Sequence, residues 1–296
     1  MPPYSDEVGG FVCNLAIARY ATVTITQSEQ TDATNGSSAA DAALARAAVR
    51  RFGASGITIG VRSDFPIGAG LGGSSAAGVA TVAALAANRG ESMTPTSIAE
   101  LSREIEIGDL GIAGGRQDHY AAAYGGALGL RFTAGHVDVR PIPIGAKLKA
   151  DIEQRCIVVY TGQSRISGDT IEAVLGAYRQ REPGVLNALS EMRAGAERIA
   201  DALMTGELDL LGALVNEQWT HQRSLHPAIS TPLIDEIIAR ARDAGAIGAK
   251  ALGASGGGCV LVIAGNGRAS EVRRAVASLG EVLPFTIAMN GVERCA

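Results

Sequence analysis

An α+β fold in two lobes is what this 296-residue sequence predicts, on three observations. A strand pattern runs into the glycine-rich stretch "PIGAGLGGSSAAGVA" and straight on into a helical pattern of small residues. Residues 167–244 carry mostly helical periodicity. The end of the chain reads strand, glycine turn, strand, helix, strand. The length accommodates one large domain or two lobes of about 150 residues each. Pro, Gly and Lys crowd into "VRPIPIGAKLK", which marks the boundary and gives lobes of residues 1–150 and 151–296.

In chain order, "RYATVTIT" (19–26) is the first strand candidate, because β-branched and aromatic residues dominate it. After the polar "SEQTDATNGSS" comes an alanine-rich amphipathic helix over 39–51. "GITIGVRSD" alternates like a half-buried strand and leads into the glycine loop. The helix behind the loop stops at Gly90, and another spans 96–107, opened by Pro95 in its first turn. "GDLGIAGGRQDHYAAAYGGALGLRF" gives a glycine loop, a short helix and a strand, and "RCIVVYTG" opens the second lobe as a strand. The closing segments are "GAIGAKALGASGGGCVLVIAG", "RASEVRRAVASLG" and "EVLPFTIA". No repeat at a fixed period is present.

Composition narrows the function classes. The chain is 47% hydrophobic and 19% charged with a net charge of -4, and it lacks the clustered basic residues that nucleic acid requires. No apolar run approaches the length of a membrane span, and "MPPYSDEVGG" lacks the regions of a signal peptide. A cytoplasmic protein with no nucleic-acid or membrane partner is expected, as monomer or homodimer. Cys13, Cys156, Cys259 and Cys295 are too scattered for a zinc site or a disulfide framework and read as buried free thiols.

The glycine loop carries the chemistry. Glycines let backbone N–H groups approach an anion, and a helix starting immediately behind adds its unpaired N–H groups and the positive end of its dipole. The alternative is that Gly, Ala and Ser here only permit tight helix packing and an ordinary N-cap. GxxxxGK[ST] is missing, which argues against a P-loop, and the loop does not meet the full placement of GxGxxG with its acidic partner expected of a dinucleotide fold. The loop ends instead in Ser74 and Ser75, and a serine in the first helical turn can offer oxygen to Mg²⁺. Two further segments join it. "EIEIGDLGIAGGRQDHYAAAYGG" supplies Glu106 and Asp118, the carboxylates that phosphoryl transfer to an alcohol needs on the metal and near the acceptor hydroxyl. "GASGGGCVLVI" is a second glycine turn able to close over a nucleotide.

"PIGAGLGGSSAA", "GGRQD" and "KALGASGGGC", in that order, resemble the three motifs of the GHMP kinases (galactokinase, homoserine kinase, mevalonate kinase, phosphomevalonate kinase), and the likeness runs along nearly the whole chain. Within that superfamily "PPYSDEVGG", "DLGIAGGRQDHYAAAYGG" and "YTGQSRISGDTI" are similar to bacterial kinases of the D-glycero-D-manno-heptose phosphate type. The resemblance implies a βαβ ATP-binding lobe followed by a ferredoxin-like lobe, with ATP and Mg²⁺ as cofactors. It implies transfer of phosphate to a hydroxyl of a small-molecule sugar or sugar phosphate, a heptose 7-phosphate included. Carried over by position, Gly68, Gly70, Leu71, Gly72, Gly73, Ser74 and Ser75 would wrap the ATP phosphates. Ser75 and Glu106 would hold the metal, and Asp118 would orient or deprotonate the acceptor hydroxyl. Gly253, Ser255, Gly256 and Gly257 would border the nucleotide, with Ser255 standing where glycine is common.

The family pattern also begins with a strand and a sugar-contacting aspartate ahead of "PPYSDE". Here the chain starts at Met1, so the resemblance implies an absent first strand and an open sheet edge, through a start assigned late or a truncation. A non-catalytic nucleotide-binding or regulatory protein derived from such a kinase is the rival reading. Asp118 is either the catalytic carboxylate or a helix N-cap. Arg116 would pair with Asp118, touch a phosphate or sit solvated. Arg165 is either a clamp on a substrate phosphate or a partner in a surface ion pair. Asp6, with Tyr4, Ser5 and Glu7, either lines the sugar pocket or frays with the terminus. His119, beside Asp118 on a helix, points elsewhere and reads as packing; His221 and His226 lack carboxylates at metal spacing.

Overall fold

A computed structural model describes residues 3–35, 38–66, 68–111, 114–163 and 168–295. The chain runs α1 (Tyr4–Glu7), β1 (Gly10–Leu15), β2 (Ala21–Gln27), β3 (Asp32–Asn35), α2 (Ala39–Phe52), β4 (Ile57–Ser63), α3 (Gly73–Asn88) and α4 (Pro95–Glu104). A π-helical turn, Ile105–Asp109, precedes α5 (Gln117–Tyr124), β5 (Ala127–Thr133), β6 (His136–Ile142), α6 (Ala146–Arg155), β7 (Cys156–Tyr160) and α7 (Gly168–Arg179). Then come α8 (Pro183–Thr205), α9 (Leu208–Ser224), α10 (Pro232–Asp243), β8 (Ala246–Ala251), β9 (Cys259–Ala264), α11 (Ala269–Val276) and β10 (Glu281–Leu283). These elements form two compact units.

One unit comprises Leu15–Ile67, Gly72–Gly126 and Ala288–Ala296. Its sheet has the order β2-β4-β3, with β4 antiparallel to β2 and parallel to β3. Parallel neighbours need a crossover, and α2 supplies it, so β3–α2–β4 is the βαβ unit. α2 is well bounded: Ser38 Oγ accepts from Asp41 N at 3.1 Å, and Gly53 ends the helix at φ 58°. α4 starts with Pro95 behind a Thr94 cap that accepts from Ser97 N. α3 is lined with small residues because its neighbours come close: a Cβ on Gly78 would lie 2.4 Å from Ser102 Oγ of α4 and 3.1 Å from Leu44 of α2. Tight packing is thus a feature of this helix in its second turn.

The other unit comprises Met1–Asn14, Gly68–Leu71 and Ala127–Ile287. It holds a sheet of order β1-β5-β6 and a second of order β10-β7-β9-β8, in which every neighbouring pair is antiparallel. With α7 to α10 between β7 and β8, and α11 between β9 and β10, the second sheet has the split-βαβ, ferredoxin-like topology. Its central strands are apolar throughout because both faces are covered. Ile157, Val159, Val260 and Val262 pack with Ile234, Ile237, Val272 and Val276, while Val158, Cys259 and Leu283 pack with Ala69.

The "VRPIPIGAKLK" stretch is a strand end and a helix start within this unit. β6 is an edge strand, where Pro141 removes no interior ladder bond, and Gly145 leads into α6. β1 and β3, unread from the sequence, also lie at sheet edges. Of the cysteines, Cys156 and Cys259 are buried free thiols as expected, Cys13 is half-buried, and Cys295 is exposed, since it lies beyond the last strand where nothing covers it among the described residues.

Candidate active site

The glycine loop alternates in backbone sign. Gly68, Gly70 and Gly72 take φ of 73°, 74° and 75°, a left-handed conformation that a side chain resists, with Ala69 and Leu71 between them outside that region. Such alternation is the backbone pattern found in anion nests. α3 begins at the next residue and adds the unpaired N–H groups of its first turn. Gly73 is required for space, because a Cβ there would lie 2.3 Å from the Phe65 ring.

Two carboxylates of the same unit meet this helix start. Asp118, in the first turn of α5, packs against Gly72: a Cβ at residue 72 would sit 3.1 Å from the Asp118 Cβ and 3.5 Å from its Oδ1. Glu106 belongs to the π-helical turn, a distortion frequent at functional sites, and is 6% exposed. Its Oε1 accepts from Ser74 Oγ at 2.6 Å, and His119 Nε2 stands 2.8 Å from its Oε2. Burial pushes the Glu106 carboxyl toward neutrality, but His119, Ser74 and Ser75 together outweigh it and hold the group below the ordinary carboxylate range. Ser75 is buried and Ser74 exposed. His119 therefore does point away from Asp118 and is packed, at 1% exposure, yet what it packs on is Glu106. Its sequence signal was the i,i+1 step on α5, which turns it about 100° from Asp118.

These oxygens suit a hard cation. Mg²⁺ is held by one or two carboxylates with water and phosphate completing the shell, and an ionised Glu106 beside the hydroxyls of Ser74 and Ser75 offers that set. Among the described residues no group of three or more His, Cys, Asp or Glu forms a metal cage, so most of the shell would come from nucleotide and solvent.

The second glycine turn lies in the unit that also contains Gly68–Leu71. Gly253, Ser255, Gly256, Gly257 and Gly258 all have positive φ, Ser255 at 75°. Hydrogen bonds among the described residues pin the turn: Gln222 Nε2 to Gly253 O, Gly256 N to Ile229 O, Gly258 N to Gln163 O, Thr161 N and Oγ1 to Gly258 O, and Leu252 N to Cys259 O. Close approach to the phosphate loop occurs at Gly258, which sequence reasoning missed. A Cβ there would be 2.7 Å from Ala69 O. Ser255 is fully buried, and its Oγ has no hydrogen-bond partner among the described residues.

The remaining expected residues are dispersed. Arg116 Nε is 3.8 Å from Glu100 Oε1, whose oxygen also accepts from Tyr120 OH at 2.7 Å. Asp6 is exposed on α1, while Tyr4 is a core residue set edge-on to Tyr178 and Glu7 accepts from Tyr178 OH. Arg165 lies outside the described residues. His226 Nδ1 accepts from Ala228 N as a cap.

Comparison with known proteins agrees with this geometry. Residues 40–126 match the family model described as GHMP kinases N terminal domain, and residues 199–282 match GHMP kinases C terminal. The chain is 29% identical over 233 residues to a D-glycero-alpha-D-manno-heptose 7-phosphate kinase of Campylobacter jejuni, spanning 78% of this chain and 68% of that protein. It is 33% identical over 233 residues to the mevalonate kinase of Thermococcus gammatolerans, spanning 76% and 64%. The chain therefore spans about two thirds of the length of these relatives. Among solved structures, a D-glycero-D-manno-heptose 1-phosphate kinase from Bacteroides thetaiotaomicron superposes with a TM-score of 0.78 at 25% identity, over 98% of this chain and 92% of that one. Mevalonate kinase of L. major shares the fold at a TM-score of 0.76 and 18% identity. With both halves of the family recognised in order over more than half of its residues, and the fold shared end to end, the chain belongs to the GHMP kinase family.

Proposed function

We propose that this protein transfers the terminal phosphoryl group of ATP to a hydroxyl of a sugar or sugar phosphate, with a heptose phosphate as the leading acceptor. One observation carries the reading: Asp118 against Gly72 and Glu106 against Ser74 put two carboxylates at the start of α3, where the phosphate loop ends. The loop N–H groups and the helix start bind and orient the triphosphate. Ser75 and Glu106 would hold Mg²⁺, which would supply charge neutralisation at the transferring group. Asp118 accepts the proton of the acceptor hydroxyl, or orients it, so that the oxygen is in line for attack. Ser75 and Asp118 stand in the first turns of α3 and α5, and Glu106 is held by Ser74 and His119, so the geometry is fixed before reaction.

The heptose assignment rests on similarity to the C. jejuni relative and the B. thetaiotaomicron structure; the mevalonate kinases among the relatives name the competing acceptor. ADP release over a panel of hexoses, heptose 1- and 7-phosphates and mevalonate tests it. Turnover that depends on a heptose phosphate is the expected result. ATP binding without acceptor-dependent turnover overturns the kinase reading, and turnover with mevalonate alone overturns the sugar reading.

A further inference from the structure

We infer that His119 is a positioning residue that fixes the Glu106 carboxylate for the metal, a role that rests on the kinase reading above. Glutamate has three side-chain torsions, the last of them soft, so a glutamate on a π-helical turn needs external restraint to hold one carboxylate orientation. Glu106 is gripped from two helices. Ser74 Oγ of α3 donates to Oε1 at 2.6 Å, and the His119 ring of α5 stands against Oε2 with Nε2 at 2.8 Å. The ring is 1% exposed and cannot swing into solvent.

The rest of the ring's environment says what it is for. Nε2 approaches within ion-pair distance without lining up as a hydrogen bond, and Nδ1 is buried with no hydrogen-bond partner among the described residues. A buried imidazole placed for packing alone leaves two polar atoms uncompensated, at about 1–3 kcal/mol for each. The polar group that stands against the ring among the described residues is the Glu106 carboxylate. The Nε2–H tautomer serves that contact and leaves Nδ1 as a bare acceptor. His119 thus confines Oε2, Ser74 confines Oε1, and the remaining lone pairs of the carboxylate have one direction left in which to meet a cation. Groups that orient a metal-binding carboxylate typically change metal affinity by about 10–100-fold when removed.

The test compares His119→Gln, whose amide reaches toward Glu106, with His119→Asn, whose amide falls short, and with His119→Leu, which keeps bulk without a donor. Mn²⁺ binding in the presence of ADP is read by electron paramagnetic resonance, beside ADP affinity without metal and the Mg²⁺ dependence of turnover. Expected are a roughly tenfold or greater loss of Mn²⁺ affinity in His119→Asn and His119→Leu, near-wild-type affinity in His119→Gln, and unchanged metal-free ADP binding in all three. On a Glu106→Gln background the His119→Asn loss should vanish, because the two residues act as one unit. Wild-type Mn²⁺ affinity in His119→Asn, or a loss that persists undiminished on the Glu106→Gln background, overturns the inference while leaving the kinase reading intact. Failure of the wild-type protein to bind Mn²⁺ with ADP overturns both.

Discussion

At the scale of single residues, the site separates two carboxylates by environment. Glu106 is buried and held ionised by His119, Ser74 and Ser75, which suits a metal ligand; Asp118 is exposed beside Gly72, which suits a group that must meet an incoming hydroxyl. Replacing Asp118 by Asn keeps the shape and removes the base. We expect turnover to fall by about 10²-fold or more, the range for general-base assistance, with ATP affinity changed by less than a few-fold. Steady-state kinetics with a nucleotide titration checks this, and full activity in the variant removes Asp118 from the mechanism. Ser255 gives a prediction of the opposite kind. Its φ of 75° is a glycine conformation, and its buried hydroxyl is unpartnered among the described residues. Ser255→Gly relieves both penalties and loses only unfolded-state entropy, so a net gain of about 1 kcal/mol follows. Thermal denaturation should show a midpoint about 2 °C higher, and a lowered midpoint would mean that the hydroxyl has a partner in the folded protein.

At the scale of elements, the second glycine turn acts on the phosphate loop through backbone contact. Gly258 lies at φ 74°, with Ala69 O where its Cβ would be. Gly258→Ala combines a left-handed alanine with a clash against main chain, for a loss of roughly 2–4 kcal/mol. Because Ala69 sits between Gly68 and Gly70 of the nest, the displaced loop should weaken nucleotide binding as well; calorimetric ADP titration beside a denaturation curve reads both effects. Unchanged stability together with unchanged affinity would mean that the contact is not rigid. The elements that frame this arrangement were legible in the sequence: β4–loop–α3 and β8–turn–β9–α11–β10 announce themselves through periodicity broken by glycine. Less legible were β1, with no alternation in burial, β3, with four mostly polar residues, and β6, whose Pro141 resembles a boundary signal. Glu106 was legible as a carboxylate but not as part of a π-helical turn. That turn depends on how α4 packs, and the helix expected over 96–107 is in fact α-helical only to Glu104.

At the scale of the whole molecule, the two units differ in what they bury. In the unit with the ferredoxin-like sheet, burial opposes the ionisation of the thiols of Cys13 and Cys156 and of one lysine. Burial pushes Cys13 up to about 12 and Cys156, despite the positive charges of Arg155 and Arg273, also to about 12, while it lowers Lys250 to about 8. The signs oppose each other. A thiol whose folded value is raised gives stability that is complete below its unfolded value, about 8.5, and is lost as pH rises toward 12. Lys250 acts the other way: between about 8 and 10.4 the unfolded chain binds the extra proton, so stability rises with pH there. Two thiols against one amine leave a net loss above about pH 9. We expect the midpoint of that unit's thermal transition to be nearly flat from pH 6 to 8 and to fall between pH 9 and 10. Cys156→Ala should make the fall shallower, and Lys250→Met should make it steeper while raising the midpoint at pH 7, where a charged Lys250 is otherwise held out of water. Scanning calorimetry of the three proteins at pH 7, 9 and 10 decides the matter. A wild-type midpoint that rises from pH 9 to 10 would show that the thiols ionise with little penalty and that Lys250 alone sets the alkaline response.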